Sequence, residues 1–373
     1  MRVLTDIPDD ELKGRRVLVR AGLDVPVADG KVAGDFRVQS AVPTLRYLSE
    51  RGAKVIVISH IGRDPNESLA PVAAALNGLI PLTFVPSLLD ETVRQQLDIM
   101  NDGDIVVLEN LRQHQGETGN DPAFAQKLAA YGDLYVNDAF SVCHREHASI
   151  VQLPKLLPAA AGIEVAAEVA HLAEALAPQA PSLCILAGAK FETKEPLIRK
   201  LLGSYDHVFV GGALANDIFK ARGLEVGRSK ISDGVPSADV LGNPKLIAPA
   251  DVSLTHADGS AAIAAADAIG ADDMVMDMGP QTLEELKPLI GGAKMILWNG
   301  PTGIYEKGYE HFSIELAKLI ADSSGHSVVG GGDTVTAIAH AGLMDRFTFV
   351  STGGGAMLEY LLNGTLPGID ALR

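Results

Sequence analysis

His60 and Arg63, Arg112, and the run Cys143-His144-Arg145-Glu146-His147 each follow a short apolar segment, and Arg37 precedes a helix-like stretch. Guanidinium groups grip carboxylate and phosphate oxygens through paired N–H donors, so a set of them along one edge suits a small, multiply anionic molecule. A single Arg is more commonly part of a solvated surface pair, and His144 and His147 could equally be core or hydrogen-bonding residues. Recurrence at successive strand ends singles out the set. The formal net charge is −16, so positive charge gathered in one place works against the field of the whole chain.

The second half ends its apolar segments in a different chemistry. There the runs close on Ala187-Gly188-Ala189-Lys190, Gly211-Gly212-Ala213, Asn299-Gly300-Pro301, Gly330-Gly331-Gly332-Asp333-Thr334 and Thr352-Gly353-Gly354-Gly355. Glycine between a strand and a helix lets backbone N–H groups and the helix dipole approach phosphate oxygens. Asp333 is a natural oxygen ligand for a Mg²⁺ carried in by a nucleotide. Lys190 and Lys194, one helical turn apart in the expected helix, could reach the phosphates together. One Gly triplet is often only a tight turn; several in one half, one bearing an Asp, point to a nucleotide cradle. The G-x-x-x-x-G-K-[ST] loop is absent, and no G-x-G-x-x-G follows the first strand, which sets aside a P-loop protein and weakens a nicotinamide dehydrogenase.

Such edges need strands that end side by side. The apolar runs are Val17–Val19, Lys54–Ile58, Asp104–Leu108, Leu134–Val136, Cys184–Leu186, His207–Val210, Met295–Trp298, Ser327–Val329 and Phe347–Val350, with helix-like stretches between them. Near-continuous apolar strands alternating with helices predict parallel sheets covered on both faces, with ligands beyond the carboxyl ends of the strands. Residues 162–178 read as an amphipathic connecting helix. Val165, Val169, Leu172 and Leu176 form its apolar stripe, with Glu164, Glu168 and His171 on the other side. The expected fold class is therefore α/β, two Rossmann-like three-layer domains with parallel sheets joined by an interdomain helix. Their bounds would be 1–161 for anion binding and 179–356 for nucleotide binding.

Bulk composition agrees. A chain of 373 residues exceeds what one hydrophobic core usually supports. Only two cysteines are present, Cys143 and Cys184, in no metal-ligand spacing, which suits a reducing compartment. Met1–Asp6 lacks the apolar run of a signal peptide, and no stretch of about 18 apolar residues offers a membrane span. The expectation is a cytoplasmic protein, and the acidic balance speaks against nucleic acid or anionic membranes as partners.

From about Leu12 to Leu372 the chain resembles phosphoglycerate kinase. The resemblance rests on Ser59-His60-Ile61-Gly62-Arg63, Leu108-Glu109-Asn110-Leu111-Arg112, Val136-Asn137-Asp138-Ala139-Phe140, Leu297-Trp298-Asn299-Gly300-Pro301, Gly330-Gly331-Gly332-Asp333-Thr334 and Ser351-Thr352-Gly353-Gly354-Gly355, in the family's order. It implies reversible phosphoryl transfer from 1,3-bisphosphoglycerate to ADP, giving 3-phosphoglycerate and ATP with Mg²⁺. It also implies a monomer that closes about a hinge, with a C-terminal tail (357–373) packed on the N-terminal domain. By that resemblance the substrate would be held by Gly22, Leu23, Asp24, Arg37, His60, Ile61, Gly62, Arg63, Arg112 and Arg145. The nucleotide would be held by Gly188, Lys190, Lys194, Gly211, Gly212, Asn299, Pro301, Glu306, Gly331, Gly332, Asp333 and Thr334, with Asp333 on the metal and Glu306 on the ribose. The attacking carboxylate needs no general base, so catalysis would rest on in-line positioning and on positive charge from Arg37, Lys190 and the Gly331 and Gly354 amides.

The chain departs from the family in one loop that matters. Where the family has Arg-x-Asp-[Phe/Leu]-Asn-Val-Pro, this chain has Arg20-Ala21-Gly22-Leu23-Asp24-Val25-Pro26. The family's aspartate acceptor for the substrate hydroxyl is thus replaced by Gly22, and a carboxylate appears two residues later. That exchange keeps open a paralogous kinase for another small carboxylate, or a homologue that binds nucleotide without catalysis.

Overall fold

A computed structural model describes every residue of the chain except Asp35, and for Glu306 the backbone only. The chain divides into two compact units, Met1–Ala170 with Thr365–Arg373, and His171–Gly364.

In the first unit six strands form one parallel sheet in the order Thr83–Val85, Ile105–Leu108, Lys54–Ile58, Arg16–Ala21, Leu134–Asp138, Ala159–Ala161. Val17, Leu18 and Val19 point alternately to the two faces, and all three are fully buried, as a sheet covered on both sides requires. The first strand lies in the middle, with the chain wound outward on either side of it. Its last residues pair Arg20 with Ile58 on one side and with Asn137 on the other. The loops after three strands are thereby set side by side at the switch point.

The second unit repeats the plan, with the order Leu246–Ile247, His207–Val210, Ser182–Leu186, Met295–Asn299, His326–Gly330, Phe349–Val350. Asn299 is in register with both Leu186 and Gly330, which aligns three glycine turns. An antiparallel sheet of Ala261–Ala265, Asp251–Thr255 and Met274–Met278 is added to it. This sheet was not expected. Its outer strand, Ala-Ala-Ile-Ala-Ala, carries little hydrophobic contrast. The strands at 83–85, 159–161 and 246–247 were also missed, being too short to show a period.

Two expectations need correction. Helix Ile163–Leu176 buries Val165, Glu168, Leu172 and Ala175, a stripe that includes a carboxylate and excludes Val169 and Leu176. A rotation of the helix by about half of one residue's arc decides this, and the sequence period tolerates either setting. The division between units falls inside this helix, after Ala170. The tail, expected from 357, joins the first unit only from Thr365. Gly355–Asn363 is a helix of the second unit, its last carbonyls at Leu361 and Leu362 each accepting from Lys200 Nζ at 2.8 Å. Gly364, at φ 76°, then turns the chain out of the helix. Beyond it Gly368 N donates to Cys143 O at 2.8 Å, and a Cβ on Gly368 would come within 2.8 Å of Ile150.

Among the described residues no helix is long and apolar enough to cross a membrane.

Candidate active site

Arg20, the penultimate residue of the central strand, is wholly buried. Its Nε donates to Ser149 Oγ at 3.0 Å, one terminal nitrogen to Ala21 O at 2.6 Å, and the other meets His60 Nδ1 at 2.8 Å. A guanidinium can only donate, so His60 Nδ1 accepts and its proton resides on Nε2. That nitrogen lies 3.4 Å from Asp24 Oδ2. Burial, reinforced by the charges of Arg20 and Arg112, holds His60 down to about 4, so the ring is neutral at pH 7. Burial alone would raise Asp24, but the hydrogen bond from His60, the Gly62 amide and the charge of Arg37 bring it to about 2. Asp24 Oδ1 accepts from Gly62 N at 2.9 Å, and its main-chain oxygen from Arg37 Nη1 at 2.7 Å.

The bowl continues from Gly62. Arg112 Nη1 donates to Gly62 O, and its amide to Asn110 Oδ1 at 3.0 Å. Arg63, Arg112 and Arg145 then line one depression of about 450 Å³ with Gln113, Gln115 and Thr118. Arg145 Nε meets His144 Nε2 at 3.3 Å. The structure therefore links Arg37, Asp24, His60 and Gly62 to the three other arginines within one unit.

Four more of the residues singled out in sequence stand in or under these loops. Leu23 and Ile61 are core residues, and their amides are taken by Ser59 Oγ at 3.2 Å and Asn110 Oδ1 at 3.2 Å. They shape the loops and present no side chain to a ligand. His147 lies beneath the bowl, held near 3 by burial and then by the charges of Arg20 and Arg112. Gly22 backs onto Ala139 Cα and Ser141 Oγ, each 3.6 Å from where a Cβ would stand, so a Cβ meets only ordinary contacts there.

Glu117 and Ser149 were not foreseen. Glu117 is fully buried and accepts from Ser149 Oγ at 2.6 Å and Ser149 N at 3.0 Å. It is the counter-charge to Arg20, relayed through one hydroxyl. Only a Glu amid a short helical turn, Gln115–Thr118, marks it in sequence.

In the second unit the glycine turns pack backbone to backbone. A Cβ on Gly212 would stand 2.7 Å from Gly188 N, and one on Gly300 2.2 Å from Ala187 O. Gly211 N donates to Leu186 O at 2.9 Å. Gly331 (φ 106°) and Gly354 (φ 43°) each precede a helix, Gly332–His340 and Gly355–Asn363. The first amides of these helices have no intrahelical partner and favour an anion.

Lysine placement is corrected. Lys190 is not on the helix with Lys194: it sits just before Phe191–Ser204 at φ 66°, ψ 71°, because the turn after Gly188 completes itself there. Lys194 Nζ donates to Ala187 O at 2.8 Å, and burial lowers its pKa. Thr334 also makes a contact that the sequence does not foretell. It is buried, and its Oγ1 accepts from Gly300 N at 3.0 Å, tying two turns together. Asn299 lies almost wholly buried, its Nδ2 3.6 Å from Met357 Sδ. The Glu306 side chain lies outside the described residues.

Beside these turns lies an apolar cavity of about 240 Å³, lined by Ala213, Val252, Val275, Met276, Ile304 and Pro301, with Asp333 and Gly188 at its margin. Much of one wall is the antiparallel sheet missed in sequence, which is why only Gly188, Gly212, Pro301 and Asp333 of its lining were anticipated. Asp277 also lines it, raised to about 7 by burial against the pull of Thr302 and backbone amides.

The sequence pattern of the family described as Phosphoglycerate kinase matches residues 5–364. A phosphoglycerate kinase from Azorhizobium caulinodans is 38% identical over 100% of both chains, and one from Aquifex aeolicus 40% identical over 96% of both. Among solved structures, phosphoglycerate kinase from Pyrococcus horikoshii superposes with a TM-score of 0.89 at 28% identity, covering 100% of this chain and 98% of that one. The Coxiella burnetii enzyme gives 0.83 at 32% identity, covering 99% and 98%.

Proposed function

The chain belongs to the phosphoglycerate kinase family, and from that premise we propose how its two half-sites divide the work of the reaction. The enzyme is a phosphotransferase that moves a phosphoryl group between 1,3-bisphosphoglycerate and ADP, yielding 3-phosphoglycerate and ATP.

Phosphoglycerate is bound by Arg37, His60, Arg63, Arg112 and Arg145. The grouping of Arg63, Arg112 and Arg145 on one depression is the observation that carries this reading. Asp24 replaces the missing acceptor at Gly22: its partly exposed, ionised carboxylate stands beside His60, where it can accept from the substrate hydroxyl. The adenine base enters the apolar cavity, and the phosphates rest on the helix N-termini behind Gly331 and Gly354. Lys190 and Lys194 add charge from the neighbouring turn. Arg37, Lys190 and these amides stabilise the phosphoryl group in flight, and no side chain has to remove a proton.

The residues present fit a nucleotide-borne Mg²⁺. Asp333 is exposed at the second position of its helix, on the cavity margin, and Mg²⁺ keeps most of its waters, so one carboxylate suffices to hold it. When bound, Mg²⁺ neutralises charge on the β- and γ-phosphate oxygens. Two buried free thiols, Cys143 and Cys184, suit the reducing cytoplasm, and we take the working form to be a monomer.

The test is ATP consumption with Mg²⁺ and 3-phosphoglycerate, run beside a Gly22→Asp/Asp24→Asn variant. Comparable turnover supports Asp24 as the hydroxyl acceptor. Turnover by the variant alone would mean that the natural acceptor is a different small carboxylate.

A further inference from the structure

One polar cluster is left unused by phosphoryl transfer. His171 and Glu174 stand three residues apart on helix Ile163–Leu176, and His326 begins strand His326–Gly330. The cluster thus lies within the second unit, at the amino end of a strand whose carboxyl end carries the Gly331 turn. His171 Nδ1 and His326 Nε2 are 3.3 Å apart. Glu174 Oε2 is 3.3 Å from His326 Nε2 and 3.9 Å from His171 Nδ1.

The spacing is that of ligands around one ion. Zinc bonds to imidazole nitrogen and carboxylate oxygen at about 2.0–2.2 Å, and a tetrahedron with such bonds separates its corners by about 3.3–3.5 Å. Two edges match; the third closes with a small rotation of Glu174, whose side chain is 57% exposed. Hydrogen bonding alone serves the cluster poorly. His326 Nε2 faces both partners and offers them either one hydrogen or one lone pair. A cation accepts all three lone pairs at once. Phe349 stacks on the His171 ring at 4.4 Å and 22°, which fixes the plane of the imidazole. Burial, and next the proximity of His326, lowers the His171 pKa, favouring the neutral ring that a metal needs.

We propose that His171, Glu174 and His326 form a site for a divalent transition-metal ion, Zn²⁺ foremost, with solvent completing the coordination. Two imidazoles and one carboxylate suit zinc and its neighbours, whereas Mg²⁺ takes oxygen ligands, so this site is separate from that of the nucleotide. The ion pins the second half of helix Ile163–Leu176 to the start of strand His326–Gly330, a structural staple within the second unit.

The experiment uses untagged full-length protein stripped with a chelator. Zn²⁺ is titrated in competition with a chromophoric chelator, and Co²⁺ is added separately to read the visible bands of a four-coordinate site. One equivalent is expected at micromolar affinity or better, together with a higher thermal midpoint. Loss of an outer-shell partner alone weakens metal sites by about 10–100-fold, so His326→Ala or Glu174→Gln should weaken binding at least that much. A His171→Asn/His326→Asn double variant should lose both the Co²⁺ bands and the zinc-dependent shift in midpoint. Kinase turnover of the metal-free variants reports that they fold. Parent protein that takes up no Zn²⁺ overturns the proposal, as does uptake that survives the double substitution.

Discussion

Arg20 donates to Nδ1 of His60 across 2.8 Å, and this contact leaves the opposite nitrogen of the ring to carry the hydrogen that faces Asp24. The cation responsible is wholly buried within the sheet. Its own charge is balanced by Glu117, with Ser149 between them. The rim of the arginine-lined bowl is thus oriented from below by an ion pair that reaches it through a hydroxyl and an imidazole.

Removing Arg20 should be costly. In an Arg20→Met variant the Glu117 carboxylate stays buried without its counter-charge, and breaking a buried pair in this way typically destabilises by about 3–5 kcal/mol. Urea unfolding should show that loss. Replacing both members, with Arg20→Met/Glu117→Leu, should recover part of it.

Stability should fall as the solution is acidified through the histidine range. His60 is held near 4 and His147 near 3 in the folded chain, against an ordinary value of 6.5. Below pH 6.5 the unfolded chain therefore binds protons that the folded chain refuses, and stability drops as pH falls toward those values. A His60→Asn variant keeps an acceptor for Arg20 but cannot titrate. Between pH 7 and 4.5 it should lose roughly 1–3 kcal/mol less than the parent, read from urea midpoints across that range.

Asp277 acts in the opposite sense. Its folded value is raised to about 7 from 3.8, so its contribution is whole below pH 3.8 and is lost as pH rises toward 7. Asp277→Asn should gain on the parent at pH 8 relative to pH 5. An equal offset at both values would show that Asp277 ionises normally.

The Thr334 hydroxyl has a structural task whatever it does toward a ligand. Thr334→Val leaves the buried Gly300 amide without its acceptor, at an expected penalty of about 1–3 kcal/mol. Thr334→Ser keeps the oxygen and should retain most of the stability. Calorimetry on the two variants without nucleotide checks this.

Two glycines of adjacent turns should respond differently to alanine. At Gly300 a Cβ would collide with Ala187 O at 2.2 Å, on a backbone at φ 97°. Gly300→Ala should therefore unfold the turn and destabilise by about 3 kcal/mol or more. Gly332 opens a helix with nothing within 4 Å of the corresponding position, so Gly332→Ala should leave stability within about 0.5 kcal/mol. Its methyl would instead stand where phosphate approaches, raising KM for ATP. Midpoints and steady-state kinetics on both variants distinguish the effects.

The alternation of apolar strands with helices, and the residues that follow each strand, can be read from the sequence alone. Arg63 and Arg112 in one half, and Gly212, Gly331 and Asp333 in the other, are legible because turn chemistry and strand period are local properties of a few neighbouring residues. Tertiary structure decided what those residues face. Arg20 reads as one more strand residue until Ser149, 129 positions away, is brought to its Nε. The acceptor role of Thr334 toward Gly300, 34 positions away, appears only once the register of two strands places the two turns together. The apolar cavity needs a sheet whose alanine-rich strand has almost no pattern, and Glu168 is buried by the way its helix is rotated. His171 and His326, 155 positions apart, become neighbours only through packing. Pairing and burial depend on the register of elements distant in the chain, and no window of sequence contains that register.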